Sequence, residues 1–516
     1  MTQLSIQSEN RDGSAGLAEQ PRCRPRTTRT TSRHAYGDWR KMNMLEALDR
    51  QKRLTISQRK IIAAAMLGNL MDFFDYFIIG FVLAFIIGPW GLTFGQSALV
   101  LLSSGVGAML GGFFWGFAAD RIGRRPVFLG TILTFSLATG ALALTPDHGW
   151  IYLIVFRFIV GFGAGGLYSV DIPFVLEFIP SSKRGLVTGI VTTAVGGGVL
   201  LGALAASTLT PVIGWRGLFA LGLIPAFGSF LLRSWVPESP RWLLSQGRPE
   251  DARRALASVI EVPVDSLNPV AATPDEAPHF REIFNYPRSV VVTWGLALCS
   301  QTAIYGVTLW APTLLILVMH VTPQQAATLW IGVGVIGVLS RFLFSWLADR
   351  WGRRLCGAVW GCGASMALVA AAYFHDATLG GLSVFYLMLL IWSFIGDGAL
   401  AVAGPYVAEI WPSRLRATGM GSAYGFGGIG KIAGPGGLAV VVGSSNVIKP
   451  EVSLAALMPS FVYFAAFYLL GGVIWAGLGI ETKGQSLEAI ERRLGARKIR
   501  RPSPQIEIRD GAALDN

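Results

Sequence analysis

The apolar residues of this 516-residue chain fall into twelve blocks, each about long enough to cross a membrane. A helix needs about 20 residues to cross the hydrocarbon core of a bilayer. Inside that core every backbone N–H and C=O must be paired within the protein, which favours helices. We therefore predict an all-α membrane protein with twelve transmembrane helices, at roughly 60–87, 98–119, 126–145, 151–178, 185–210, 214–234, 288–318, 326–347, 355–374, 383–409, 417–443 and 455–480.

Composition supports a membrane location. Only 14% of the residues are charged, whereas a soluble protein carries about 25%. The net charge of +12 raises nucleic acid as an alternative partner, but the Lys and Arg residues lie in short loops and tails. We therefore expect a lipid bilayer as partner and no nucleic acid. The four cysteines show no metal-ligand spacing, so we expect no metal and no disulfide.

Polar stretches divide the chain into five parts. We predict a tail at 1–57, a six-helix bundle at 58–234, a linker at 235–287, a second bundle at 288–480 and a tail at 481–516. The first tail is Arg-rich and expected to be disordered, with a short surface helix between Met44 and Arg59. A translation start at Met42 or Met44 is an alternative to Met1.

The basic residues also predict an orientation, because Lys and Arg concentrate in cytoplasmic loops. They cluster in the loops after the second, fourth, eighth and tenth segments, and Arg216 and Lys449 are the main exceptions. Both termini are therefore expected in the cytoplasm, and the protein in the inner (plasma) membrane.

Two motifs occur twice and show a duplication. Asp-Arg-x-Gly-Arg-Arg occurs at 120–125 and 349–354, a spacing of 229 residues. Glu-x-x-Pro-Ser-x-x-Arg occurs at 177–184 and 409–416, a spacing of 232 residues. Two independent motifs with nearly the same offset indicate two related halves, and duplicated membrane bundles usually move solutes.

With two further motifs, the chain resembles the major facilitator superfamily, and its sugar and metabolite transporter branch in particular. The added motifs are Pro-Glu-Ser-Pro-Arg-Trp at 237–242 and Glu-Thr-Lys-Gly at 481–484. The resemblance implies two pseudo-symmetric six-helix bundles around a central cavity, and alternating access. Separately, we expect a monomeric transporter rather than an enzyme, with no cofactor and a proton as the coupling ion.

Asp72 and Asp75 are the first candidates for coupling. A charge within a membrane helix is costly and marks a functional candidate. Residues three apart share a helix face, and two neighbouring carboxylates resist double ionisation, so one should hold a proton. The Asp72–Asp75 spacing resembles the Asp-Gly-x-Asp of aromatic-acid/proton symporters and the Glu-x-x-Asp of metabolite/proton symporters, although Phe73 replaces the Gly. That resemblance favours Asp75.

Other candidate cavity residues are less distinctive. Asp397 lies between glycines in the tenth segment, and Arg341 in the eighth could bind a substrate carboxylate or pair with an Asp. Aromatic and amide side chains in the fourth, seventh, tenth and eleventh segments could line the cavity, although aromatics there more often serve in packing. We expect about a third of these six to contact substrate: Tyr168, Gln301, Tyr305, Trp310, Trp392 and Tyr424.

The duplicated charges predict a gating network at the cytoplasmic ends of the helices. Ion pairs that hold in one state and break in another provide a bistable element. Arg157 in the fourth segment is expected to join Asp120 in this network rather than to bind an anion. The predicted members are Asp120, Arg121, Arg124, Arg157, Glu177, Arg184, Glu238 and Arg241 in the first half, and Asp349, Arg350, Arg353, Glu409, Arg416 and Glu481 in the second.

Together these features predict proton-coupled uptake of a small organic acid, with aromatic acids among the candidates. A sugar or polyol porter is the alternative; the single Gln301 weakens it, because sugar porters typically carry a Gln pair in the seventh helix. A transporter-like nutrient sensor is a third possibility, although tails this short leave little room for a folded signalling domain.

Overall fold

The computed structural model describes residues 44–224, 236–268, 280–412, 415–448 and 450–483, together with 485 and 490. The structure is mostly helical, and within those residues eleven helices are long and apolar enough to cross a membrane. The first half contains α1 (Met44–Asp49), α2 (Ile56–Trp90), α3 (Phe94–Ile122), α4 (Arg124–Leu142), α5 (Trp150–Leu176), α6 (Arg184–Thr208) and α7 (Thr210–Leu221).

The linker and the second half follow the same helical plan. They contain α8 (Pro240–Ser245), α9 (Pro249–Ile260), α10 (Pro287–Met319), α11 (Pro323–Trp351), α12 (Arg353–Tyr373), α13 (Val384–Glu409), α14 (Arg416–Val442) and α15 (Pro450–Gly477). A short hairpin of two strands with two residues each, β1 (Thr378–Leu379) and β2 (Leu382–Ser383), joins α12 to α13.

The predicted sixth segment differs from the others. It corresponds to α7, which bends at Gly214, where φ is 67°. Residues 225–235 lie outside the described part, so the far end of this predicted span is not characterised. The prediction of twelve spans therefore stays a prediction beyond the eleven observed.

Helix ends show why three of the long helices begin where they do. Thr55, Thr93 and Thr322 each precede a helix, and each side chain accepts a hydrogen bond from a backbone N–H three residues on. The side chain of the Gln at that third position in turn accepts a hydrogen bond from the backbone N–H of the capping Thr. Two otherwise unpaired backbone donors are thereby satisfied. These capping boxes fix the starts of α2, α3 and α11.

Glycines let α3 and α5 approach at backbone distance. A Cβ on Gly107 would lie 2.0 Å from the carbonyl oxygen of Phe158, and one on Gly161 would lie 2.0 Å from that of Ser104. Membrane helices commonly associate through such small residues. The helices of the second half that correspond to α3 and α5 are α11 and α13, and they also pack together. A second packed pair, α2 with α6, has its counterpart in α10 with α14.

The two bundles meet along three seams, α3–α14, α6–α11 and α2–α10. At the end opposite the Asp-Arg-x-Gly-Arg-Arg loops, backbone bonds join the bundles: Phe94 donates to Asn446 O at 2.9 Å and Ile448 donates to Leu92 O at 3.1 Å. The hydroxyls of Ser207 and Thr328 add a 2.7 Å hydrogen bond at the same end. The bundles are therefore fastened at the end away from the motif loops.

Part of the predicted tail, from Met44 to the boundary at 57, is packed against the rest of the protein. Met44 is fully buried against linker residues such as Leu256 and Leu267, and its N–H donates to Asn268 O at 3.3 Å. The predicted surface helix over 44–59 is in fact the short α1, followed by the cap of α2. The first 43 residues of the predicted disordered tail lie outside the described residues.

Candidate functional site

A small cavity lies where the two bundles meet. Its free volume is about 10 Å³, enough for roughly one water molecule, and it is formed by α2, α3, α5, α10 and α14. Its wall combines charged and aromatic side chains with small residues: Asp72, Phe73, Tyr76, Ala108, Ala164, Gly165, Tyr305, Tyr424 and Lys431. A wall of this kind suits a small polar molecule with an apolar body, although the conformation described here leaves room for only about one water molecule.

Lys431 is the cation of this cavity. Its side chain is 4% exposed, and its ammonium donates a 2.8 Å hydrogen bond to the hydroxyl of Tyr424. The ammonium also lies over three tyrosine rings, with centroid distances of 5.5 Å to Tyr76, 5.0 Å to Tyr305 and 4.7 Å to Tyr424. Aromatic faces attract a cation and replace part of its lost hydration.

Sequence reasoning missed Lys431. The criterion applied to Asp72, an ionisable residue inside an apolar segment, also selects Lys431 in the predicted segment 417–443. The sequence therefore contains the signal that marks Lys431.

The two aspartates of α2 have different surroundings. Asp72 lines the cavity, acts electrostatically on Lys431, and has one carboxylate oxygen buried without a hydrogen-bond partner among the described residues. Asp75 is 1% exposed, and its carboxylate faces Thr139 of α4 inside the first bundle. Their spacing correctly predicted proximity, but only Asp72 lines the cavity.

Arg157 corrects a prediction, because it does not belong to the gating network. It is fully buried and donates to the carbonyl oxygens of Asp75 at 2.7 Å and Tyr76 at 2.8 Å, and to Ser104 Oγ at 3.0 Å. It therefore supports the aspartate-bearing turn of α2. Spacing along the chain did not reveal that Arg157 lies near the start of α5, a helix length away from Glu177.

In the second bundle, Arg341 is paired rather than free to bind substrate. Its guanidinium lies 3.8 Å from Asp397, whose other oxygen accepts a 3.1 Å hydrogen bond from Ser393. A Cβ on Gly196 would lie 3.1 Å from Arg341 Cζ, so the pair lies against α6 of the other bundle. Neither Arg341 nor Asp397 lines the cavity described above.

The predicted aromatic and amide residues divide into two groups. Tyr305 and Tyr424 line the cavity. Trp310 is a packing residue that donates to Pro435 O at 3.1 Å, and Trp392 packs between other buried rings. Gln301 is half-buried beside Gly427, outside the cavity lining. The side chain of Tyr168 lies outside the described residues.

The first motif loop is held by a network around two glutamates. Glu177 forms a 2.5 Å ion pair with Arg124 and accepts a hydrogen bond from Ser239. Glu238 accepts from the backbone N–H groups of Arg124 and Arg125 at 3.0 and 3.2 Å. Burial raises the pKa of Glu177, and the Arg124 charge opposes this. This network lies within the first bundle and its linker.

The second motif loop repeats this arrangement. Arg353 lies 2.9 Å from Glu409 and 3.8 Å from Asp349, and the hydroxyl of Thr482 donates to Glu409 at 2.5 Å. Glu481 accepts from the backbone N–H groups of Arg353 and Arg354 at 2.9 and 3.1 Å. Each half thus has one network, and neither pairs charges across the two bundles among the described residues.

The remaining predicted network residues lie around these centres. Arg121 and Arg350 stack over the rings of Phe117 and Trp346, at 4.2 and 4.3 Å. The side chain of Asp120 is exposed, while its carbonyl accepts from Trp242 Nε1 at 3.0 Å. Arg184 and Arg416 donate to carbonyls of Ile179 and Ala408, at 3.2 and 2.9 Å, and the Arg241 charge acts on Glu177.

Comparison with known proteins identifies the family. The model of the Major Facilitator Superfamily matches residues 65–435. The chain belongs to the Major Facilitator Superfamily. Its family and its relatives are membrane transporters, not enzymes, and it is a multi-pass membrane protein.

Curated relatives include transporters named for small acids. The niacin transporter NiaP of Acinetobacter baylyi is 31% identical over 82% of this chain and 94% of its own length. The cis,cis-muconate transport protein of the same species is 27% identical over 80% of this chain and 91% of its own. The 4-hydroxybenzoate transporter PcaK of Pseudomonas putida is 26% identical over 80% and 92%.

Solved structures agree on the fold. The inward-open xylose transporter XylE from E. coli is similar to this chain with a TM-score of 0.64 and 20% identity, over 84% of this chain and 99% of that one. The predicted family resemblance is therefore confirmed, and the predicted fold is confirmed as a helical membrane bundle of this family. The exact helix number and the cytoplasmic position of both termini stay predictions.

The motif glycines give a first test. Gly123 and Gly352 have φ of 106° and 100°, and a Cβ there would lie 2.6 Å from Glu238 Oε2 and 2.5 Å from Glu481 Oε2. We expect Gly123→Ala and Gly352→Ala each to lower the free energy of unfolding by about 1–3 kcal/mol. Thermal unfolding in detergent measures this. Gly116→Ala is the matched control, since nothing lies within 4 Å of its Cβ position, and equal behaviour of all three variants would contradict the account.

A second test concerns the support of the α2 turn. Lysine cannot reproduce the forked donors of arginine, so Arg157→Lys should lower the free energy of unfolding by about 3 kcal/mol. The control Ser104→Ala removes one of the three acceptors and should cost about 1 kcal/mol. Thermal unfolding in detergent distinguishes them, and an unchanged midpoint for Arg157→Lys would show that the buried fork is dispensable.

Proposed function

We propose that this chain is a proton-coupled transporter of the inner membrane that takes up a small aromatic carboxylic acid by alternating access. The observation that carries the proposal is the Lys431 ammonium, buried among three tyrosine rings and opposite Asp72 in a cavity between the bundles. A buried cation is stabilised by an anionic partner, and the flat faces of the tyrosine rings can pack against the aromatic ring of a substrate.

The names of the relatives support this substrate class. Niacin, 4-hydroxybenzoate and cis,cis-muconate are all small carboxylic acids, and two of them are aromatic. A carboxylate bound to Lys431 would form a charge-assisted hydrogen bond, among the strongest kinds in proteins. The sugar or polyol alternative has weaker support, since the cavity wall carries a cation and aromatic rings, and Gln301 lies outside it.

Exchange of partners at Lys431 explains how an acid and a proton travel together. In this proposal Asp72, the acidic residue in the wall of the same cavity, is the counter-charge of Lys431 when no substrate is bound. When a substrate carboxylate binds the Lys431 ammonium, an ionised Asp72 would be left buried without a counter-charge, which is costly. Asp72 then binds a proton. This proposal moves the coupling role from Asp75, which the motif resemblance favoured, to Asp72.

The seams between the bundles support the direction of opening. The bundles are fastened at the end away from the motif loops, by the Phe94–Asn446 and Ile448–Leu92 backbone bonds. If the motif loops face the cytoplasm, as the basic residues predict, the fastened end is the outer one. The described conformation would then be the one that releases substrate inward.

Uptake into proteoliposomes tests the substrate class. Under an imposed inward proton gradient, the wild-type protein should accumulate nicotinate or 4-hydroxybenzoate and not xylose. Lys431→Met should weaken binding of the acid about 100-fold, because it removes the partner of a buried charge. Lys60→Met removes an exposed lysine of α2 and is the matched control. Xylose accumulation without acid uptake, or wild-type acid affinity in Lys431→Met, would overturn the proposal.

Proton counting tests the coupling residue. In weakly buffered detergent solution with an indicator dye, nicotinate binding should take up about one proton per wild-type molecule, as the exchange at Lys431 requires. Asp72→Asn should bind nicotinate without proton uptake, whereas Asp75→Asn should keep the uptake. The reverse result, with uptake lost only in Asp75→Asn, would assign coupling to Asp75.

A further inference from the structure

A third buried carboxylate lies beyond the cavity, and the transport cycle described so far does not use it. Asp171 of α5 is 1% exposed. One of its oxygens accepts a hydrogen bond from the amide of Asn69, which also donates to Ala65 O at 3.0 Å. Its other oxygen is buried and has no hydrogen-bond partner among the described residues.

The position of Asp171 connects two parts of the molecule. Its partner Asn69 lies three residues before Asp72 on α2, so it is one turn nearer the motif loops. Asp171 itself lies six residues before Glu177, a rise of roughly 9 Å along α5. Glu177 belongs to the network of the first motif loop. Asp171 thus lies between the cavity carboxylate and the motif end.

A purely structural role does not account for an acid at this place. The Asn69 amide needs an acceptor, and a second amide would supply one without the cost of a buried ionisable group. What a carboxylate adds is the ability to take and release a proton. Asn69, which is hydrogen-bonded to Asp171, lies one helical turn from Asp72 on α2, so the two carboxylates are near neighbours along that helix.

We infer that Asp171 is the proton relay between Asp72 and the motif side of the membrane. This inference rests on the proposed function. When substrate leaves, Lys431 is free to balance an ionised Asp72 again. The O–H bond of Asp72 then breaks as an O–H bond forms on the unpartnered oxygen of Asp171. The Asn69 amide holds the other oxygen, so the accepting oxygen keeps its orientation. Asp171 afterwards releases the proton to water on the motif side.

The test separates proton release from substrate movement. Counterflow exchanges labelled for unlabelled nicotinate across the membrane and requires no net proton release, whereas proton-driven accumulation requires one release per cycle. Asp171→Asn keeps an acceptor for Asn69 and removes the acid. We expect its counterflow to stay within about twofold of the wild type, while its proton-driven accumulation falls at least about tenfold.

A second variant keeps the inference open to refutation. Asp171→Glu retains the acid and should recover at least half of the accumulation. Wild-type accumulation in Asp171→Asn would overturn the relay, and so would equal loss of counterflow and accumulation in both variants, which would indicate a structural role. Absence of nicotinate counterflow in the wild type would instead overturn the proposed function.

Discussion

The cost of placing a charge in a membrane interior governs the arrangement of this protein. The buried cations described above within the spanning helices each have specific neighbours: Arg157 has two backbone carbonyls, Arg341 has Asp397, and Lys431 has tyrosine rings with Asp72 in the same cavity wall. The first two neighbours are parts of the protein that a substrate does not replace. Under the proposed function, a substrate carboxylate replaces Asp72 at Lys431, and this difference distinguishes the cavity from the other two sites.

The duplicated halves each have a network of contacts around their motif loop. Glu238 and Glu481 each cap the backbone of a motif loop, and Glu177 and Glu409 each pair with an arginine of that loop. These networks tie each motif loop to its own half and link no charges between the bundles among the described residues. Rigid halves that touch mainly along seams can rock about a central site, as alternating access requires.

The sequence predicted much of the fold and part of the site. Doubled motifs and apolar blocks reveal the duplication and the family, because those signals are local in the chain. Asp72, Tyr305 and Tyr424 are predictable because each is an ionisable or aromatic residue inside an apolar segment. Arg157 was misplaced because spacing does not give the height of a residue against a neighbouring helix. Trp310 could not be distinguished from the cavity residues, because the same aromatic residue types serve in helix packing and in substrate binding.

The most direct test of the central claim is a structure of the protein with a bound aromatic acid such as nicotinate or 4-hydroxybenzoate. We expect the substrate carboxylate at about 3 Å from Lys431 Nζ, with the ring against the tyrosines and Asp72 no longer the counter-charge of the ammonium. A substrate whose carboxylate lies at Arg341, or anywhere that leaves Asp72 as the counter-charge of Lys431, would rule out the proposed exchange.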